Sequence, residues 1–140
     1  STGEAIHTST FLGHPLGCAA ALAVLEVYER EDVHDRVLEA ERVWTDALRA
    51  RLSSCRRVRD IRGLGLLLGV ELGEEDGRPG GAGLGGQVAE SLLGEGVLVL
   101  PAGPEGNVVE VTPSVNLTAR QVAHAVEALA RAVESLEASR

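Results

Sequence analysis

At 140 residues and 44% hydrophobic side chains, the chain has enough apolar material for one core, and its formal net charge of −8 excludes the positive surface that nucleic-acid phosphates require. Aromatic residues make up only 2%, so there is no stacking platform for bases, and the core must be assembled from Ala, Val and Leu. All 13 cationic side chains are arginine, because the chain contains no lysine. Cys18 and Cys55 lack any C-x-x-C spacing, which excludes a disulfide framework and a zinc site and fits a reducing, cytoplasmic setting. The longest apolar run, Cys18 to Leu25, is too short to span a bilayer. A soluble protein with neither membrane nor nucleic acid as partner is expected.

Residues 1–14 read as an irregular lead-in, ending in the hydroxyl-rich stretch Thr8-Ser9-Thr10 and the turn former Gly13. Unpaired backbone N–H groups and small donors before a helix can hold an anion or simply cap the helix. Pro15 suits a first helical position, and the alanine-rich segment Leu16 to Tyr28 continues as a helix expected to be buried on most sides. Asp32 is placed to cap a second helix whose stripe is Val33, Val37, Ala40, Trp44, Ala47 and Leu52. Arg49, Arg51, Arg56 and Arg57 gather at its C-terminal end, where a solvated cluster complements the helix dipole.

From Val58 to Leu72 the pattern becomes strand-like, with glycine breaks and Leu66, Leu68, Val70 and Leu72 sharing one face. Gly73 to Gly86 reads as a flexible surface loop. It contains Gly81, Gly83 and Gly86 in G-x-G-x-x-G spacing, but no strand feeds directly into the glycine turn, so a dinucleotide site is rejected. A short helix over Leu84 to Leu93 is stopped by Gly94 and Gly96. Strands are expected over Val97 to Leu100, with Pro101, and over Asn107 to Thr112, joined by a hairpin around Gly103 to Gly106. Thr118-Ala-Arg-Gln121 is a capping box with Leu117 and Val122 as its staple, opening a last helix with the stripe Val122, Val126, Leu129, Val133 and Leu136. This order predicts an α+β fold in two layers, a small antiparallel or mixed sheet covered by helices and preceded by a long linking helix.

Three segments in this order, His7 to Leu22, Ile61 to Glu71, and Gly96 to Pro101 followed by Val108 to Pro113, resemble the C-terminal part of class III pyridoxal-phosphate aminotransferases, the group of ornithine, acetylornithine, 4-aminobutyrate and other ω-amino transaminases. The resemblance covers essentially the whole chain. It implies the C-terminal small domain of the fold type I pyridoxal-phosphate enzymes over residues 29–140, with residues 1–28 ending a cofactor-binding large domain and starting the linking helix. It also implies that Thr10, helped by Ser9, binds the phosphate of the pyridoxal 5'-phosphate held in the neighbouring subunit of a homodimer. A hydroxyl and a backbone N–H can each donate to a phosphate oxygen without adding charge.

The family reaction passes an amino group from an amine or ω-amino acid to a 2-oxo acid and needs a lysine bound to the cofactor. With no lysine, the expectation is a C-terminal fragment that is inactive alone and begins just after the lysine-bearing segment. Members acting on α-amino acids carry an arginine two residues before the position of Thr112, and this chain has Glu110 there. A carboxylate cannot hold a carboxylate, so Glu110 either favours a cationic or neutral substrate end or is a surface glutamate on an edge strand. His7, His14, His34 and His124 lack metal spacing and are assigned no catalytic role, with His14 placed to serve the start of the first helix. A second reading of the whole chain is a non-catalytic α+β binding or dimerisation module.

Overall fold

The computed structural model describes residues 11–74 and 81–138. Among these the helices are α1 (Pro15–Arg30), α2 (Val33–Leu52), α3 (Leu84–Gly94) and α4 (Ala119–Ala138), and the strands are β1 (Val58–Leu64), β2 (Leu67–Leu72), β3 (Leu100–Ala102) and β4 (Val108–Val111). Backbone contacts divide the chain into one unit of residues 1–35 and another of residues 36–140.

In the first unit Gly13, at φ +74°, and a 3.0 Å hydrogen bond from the His14 N–H to the Phe11 carbonyl close the turn that delivers Pro15 to the first helical position. The expectation that this helix is buried on most sides is corrected. No residue of α1 is buried, and Leu16, Leu22, Leu25 and Tyr28 stand exposed. Its apolar side chains are spread round the axis, so covering them takes neighbours on several sides. Asp32 is also corrected as a cap. Its φ of +46° is left-handed rather than the extended conformation of a capping residue, so it bends the chain ahead of α2.

In the second unit the sheet is antiparallel throughout, in the order β1-β2-β4-β3. Alternation along β2 sends Leu68, Val70 and Leu72 to one face, where Val109 and Val111 of β4 join them. Trp44, Leu48 and Leu52 of α2, Val88 and Leu92 of α3, and Val122, Val126, Leu129 and Val133 of α4 close the same core. Full burial contributes about 1.5–3 kcal/mol for each Leu or Val of this size. Helices therefore cover one face of the sheet. The other face presents Leu64, Leu67 and Leu100, all exposed.

Several local devices fix this arrangement. The capping box forms as expected: the Thr118 N–H donates to Gln121 Oε1 at 2.9 Å, and the Gln121 N–H to Thr118 Oγ1 at 3.4 Å. α3 ends with Gly96 at φ +75°, the Gly96 N–H donating to Leu93 O and the Val97 N–H to Leu92 O. This engagement corrects the strand expected over Val97 to Leu100. The chain joins the ladder only from Leu100, pairing Leu100, Pro101 and Ala102 with Glu110, Val109 and Val108, and Pro101 is tolerated because β3 is an edge.

The glycine-rich segment is not simply surface loop, because Gly73, Gly81 and Gly85 are buried. Residues 75–80 lie outside the described residues. At the start of α3 the Gly83 N–H donates to Glu105 O and the Gly85 N–H to Gly106 O, each at 2.9 Å. The N–H groups that a phosphate would need are thus already used by the β3–β4 hairpin. Of the arginine cluster expected to be solvated, Arg49 and Arg56 are exposed, whereas Arg51 and Arg57 correct the expectation. Arg57 is only 5% exposed, donates to the Gly73 carbonyl at 3.3 Å and lies 3.8 Å from Glu74, so it pins the chain leaving β2. Arg51 bridges α2 to α4, reaching Glu127 and Glu134 at 2.7 Å each.

Two predictions follow from this packing. A Cβ on Gly85 would sit 2.5 Å from Val108 O and 2.7 Å from Gly106 O, both backbone atoms, whereas one on Gly86 meets nothing within 4 Å. In chemical denaturation Gly85→Ala should cost about 1–3 kcal/mol, and Gly86→Ala should add about 0.4–1 kcal/mol. Hydrogen bonding to Arg51 holds the Glu127 carboxyl below its ordinary range of about 4.5. A depressed carboxyl stabilises the fold above the unfolded-state value, and that contribution is lost as pH falls through the folded-state value. Denaturation midpoints between pH 6 and pH 3 (about the range that brackets the carboxyl titration) should therefore fall less steeply for Glu127→Gln than for the parent.

Candidate functional site

The residues that the sequence assigns to cofactor binding, Ser9 and Thr10, lie outside the described residues, as does His7. Immediately after them comes the Phe11–His14 turn. His14 occupies the N-cap position of α1 without a side-chain capping bond, its ring lying edge-on to Phe11 at 6.2 Å. His124 Nε2 lies 3.1 Å from the Glu95 carbonyl at the end of α3. No group of three or more histidine, cysteine or acidic side chains able to hold a metal occurs among the described residues; Cys18 is exposed and Cys55 buried.

Glu110 lies in the middle of β4, in register with Gly69 of β2 on one side and Leu100 of β3 on the other. Since Val109 and Val111 point into the core, alternation turns Glu110 to the face that the helices leave open. It is half-buried there and makes no hydrogen bond or ion pair with the other described residues. Arg62 of β1 pairs with Gly69 from the opposite side, so one row across the sheet reads Arg62, Gly69, Glu110, Leu100. With no side chain at Gly69, a groove of about 490 Å³ opens between Arg62 and Glu110, walled by Leu64, Leu67 and Ala102. The next row brings Asp60 beside Glu71.

Arg62 is held away from Glu110. Its Nη1 donates to Asp60 Oδ2 at 3.0 Å and also to Glu71 Oε2. The bonds to Asp60 and then Glu71 raise the Arg62 pKa above its ordinary value and engage its Nη1. The carboxylates Asp60, Glu71 and Glu110 lie around the Arg62 guanidinium on the open face. This charged cluster was not legible as a motif, because residues nine to eleven positions apart meet only through the β1–β2 register. The signal that could have found it is the period of two: Asp60 and Arg62 alternate with Ile61 just as Gly69 and Glu71 alternate with Val70.

A larger cavity, of about 520 Å³, lies between the end of α3 and the start of α4, lined by Trp44, Leu92, Val97, Leu117 and Leu129 among others. Two of its polar groups are already engaged, Gln121 in the capping box and His124 at the Glu95 carbonyl. The open sheet face is therefore the better candidate for recognition chemistry.

A small antiparallel sheet with helices on one face is the architecture of a domain in fold type I aminotransferases, and the structural neighbours include aminotransferases of that type. The family model for aminotransferase class-III matches residues 1–133, and the chain belongs to this family. It is 33% identical over 134 residues to an omega-aminotransferase of Caulobacter vibrioides, covering 96% of this chain and 29% of that protein. It is 34% identical over 130 residues to an acetylornithine aminotransferase of Methanothermobacter thermautotrophicus, covering 93% and 30% respectively. The crystal structure of an adenosylmethionine-8-amino-7-oxononanoate aminotransferase from Methanocaldococcus jannaschii superposes with a TM-score of 0.76 at 32% identity, over 94% of this chain and 30% of that one. The chain thus spans about 30% of the length of such relatives. Among the described residues no helix is long and apolar enough to cross a membrane.

Proposed function

We propose that these residues are the C-terminal part of a cytoplasmic, homodimeric, pyridoxal-phosphate-dependent class III aminotransferase that transfers an amino group from an amine or ω-amino acid to a 2-oxo acid. The observation that carries this reading is the class III match over residues 1–133, which includes the Ser9-Thr10 segment. When bound, pyridoxal phosphate supplies the electron sink for moving a proton and an amino group at the substrate carbon. This chain has no lysine to bond that group, so its own share is different.

On this reading the Thr10 hydroxyl and backbone N–H donate to phosphate oxygens of the cofactor in the neighbouring subunit, with Ser9 beside it. The Phe11–His14 turn and Pro15 follow these residues directly and open α1. The open face of the sheet forms a wall of the substrate entrance. There Glu110 takes the place where members acting on α-amino acids carry a carboxylate-binding arginine, which disfavours an α-carboxylate and favours a cationic or neutral end.

The 140-residue chain, mixed with pyridoxal phosphate, an amine donor and a 2-oxo acid, should give no transamination and no stable yellow adduct, while a longer polypeptide containing these residues and a lysine should turn over. In that longer protein Thr10→Ala should weaken cofactor retention about tenfold or more, the loss expected for one hydrogen bond to a charged acceptor. Equilibrium dialysis measures it, and unchanged retention in both Thr10→Ala and Ser9→Ala would remove the phosphate assignment.

A further inference from the structure

On the open face of the sheet, the placement of Arg62 bears directly on what Glu110 can recognise. Arg62 and Glu110 occupy the same row with only Gly69 between them, so their backbones are two strand spacings apart, about 10 Å. An extended arginine side chain and a glutamate can together close that distance over a residue with no side chain. In the structure they do not meet. Asp60 and Glu71, side by side in the adjacent row, draw the guanidinium towards themselves and leave the Glu110 carboxylate facing the groove alone.

We propose that Asp60, Arg62 and Glu71 form a charge clamp that sets the specificity of this face, holding Arg62 off Glu110 so that the groove over Gly69 selects substrates whose far end is a second ammonium, as in an aliphatic diamine. This rests on the aminotransferase reading and narrows its donor from an amine or ω-amino acid to an amine that carries a second ammonium. The recognition is a charge-assisted hydrogen bond from the ammonium to Glu110, with the methylene chain lying on Leu64, Leu67 and Ala102, which are exposed or half-buried along the groove. A far-end carboxylate placed at Glu110 meets a like charge, and the Arg62 Nη1 that could offset it is engaged by Asp60 and Glu71, so it is disfavoured by repulsion. Gly69 is part of the device. A Cβ there would come within 3.2 Å of Val108 Cγ1, and any larger side chain would fill the gap between the two charged residues.

Binding to the 140-residue chain tests the clamp without any catalysis. Backbone amide shifts are followed by NMR while 1,4-diaminobutane, butylamine and 4-aminobutanoate are titrated at matched ionic strength. The diamine should give saturable shifts centred on Gly69 and Glu110, with butylamine several-fold weaker and 4-aminobutanoate weaker still. Glu110→Gln should weaken the diamine about tenfold, the scale of one charge-assisted hydrogen bond. Glu71→Gln, which frees one anchor of Arg62, should weaken diamine binding in the parent but have little effect in an Arg62→Gln background. Equal responses to diamine and monoamine, or an unchanged affinity in Glu110→Gln, would overturn the recognition. An equal cost of Glu71→Gln in both backgrounds would show Glu71 acting by its own charge and would overturn the clamp. Turnover of a simple monoamine by the longer protein tests the aminotransferase reading separately, since that donor has no far-end charge for Glu110 to hold.

Discussion

Everything in the second unit depends on the pairing of β2, the central strand flanked by β1 and β4. One set of its side chains, Leu68, Val70 and Leu72, is sealed under the helices, and the other set, Leu67, Gly69 and Glu71, faces outward. A slip of one residue would exchange the two sets, exposing three fully buried apolar residues and driving Glu71 into the core. The core therefore fixes the register, and the register in turn places Gly69 between Arg62 and Glu110. The candidate site is a by-product of burial on the opposite face, and so it needs no stabilising interaction of its own to be positioned.

A second constraint works at the edge of the sheet. α3 begins so close to the β3–β4 hairpin that its first N–H groups are satisfied by hairpin carbonyls, and only glycine fits at position 85. This contact fixes the hairpin that carries Glu110 on its second strand. A G-x-G-x-x-G pattern that invites a phosphate is here the mark of backbone packing against backbone. The same donors cannot serve both purposes at once.

What was legible in the sequence was what depends on local period and local chemistry. The capping box at Thr118, the stripe of α4, the alternation through Leu68, Val70 and Leu72, and the β3–β4 hairpin all rest on neighbours within a few positions. Some misreadings involve partners distant in sequence and others a local turn of the backbone, as at Asp32 and Val97. Arg57 looked like one of several solvated arginines, and its burial depends on the carbonyl of Gly73 sixteen residues on. Val97 looked like a strand residue, but its N–H is spent on closing α3. Glu110 was legible as a position through a family resemblance; the cluster of Asp60, Arg62 and Glu71 that shapes its surroundings was not, because strand pairing alone brings it together.

The exposure of α1 follows the same logic. A helix apolar on all sides, rich in alanine and ending a turn built from Phe11 to His14, has the composition of an element meant to be surrounded, yet none of its residues is buried. Its exposed Leu16, Leu22, Leu25 and Tyr28 are chemically unlike the open sheet face, where charge and a glycine gap dominate. Such an apolar surface gains free energy wherever it is covered, in proportion to area and with little regard to geometry, whereas a row of charges over a gap discriminates by the position and sign of a single group. On the proposed reading the two surfaces therefore divide the work of the chain: α1 supplies cohesion with what surrounds it in the longer enzyme, and the sheet supplies the choice of substrate.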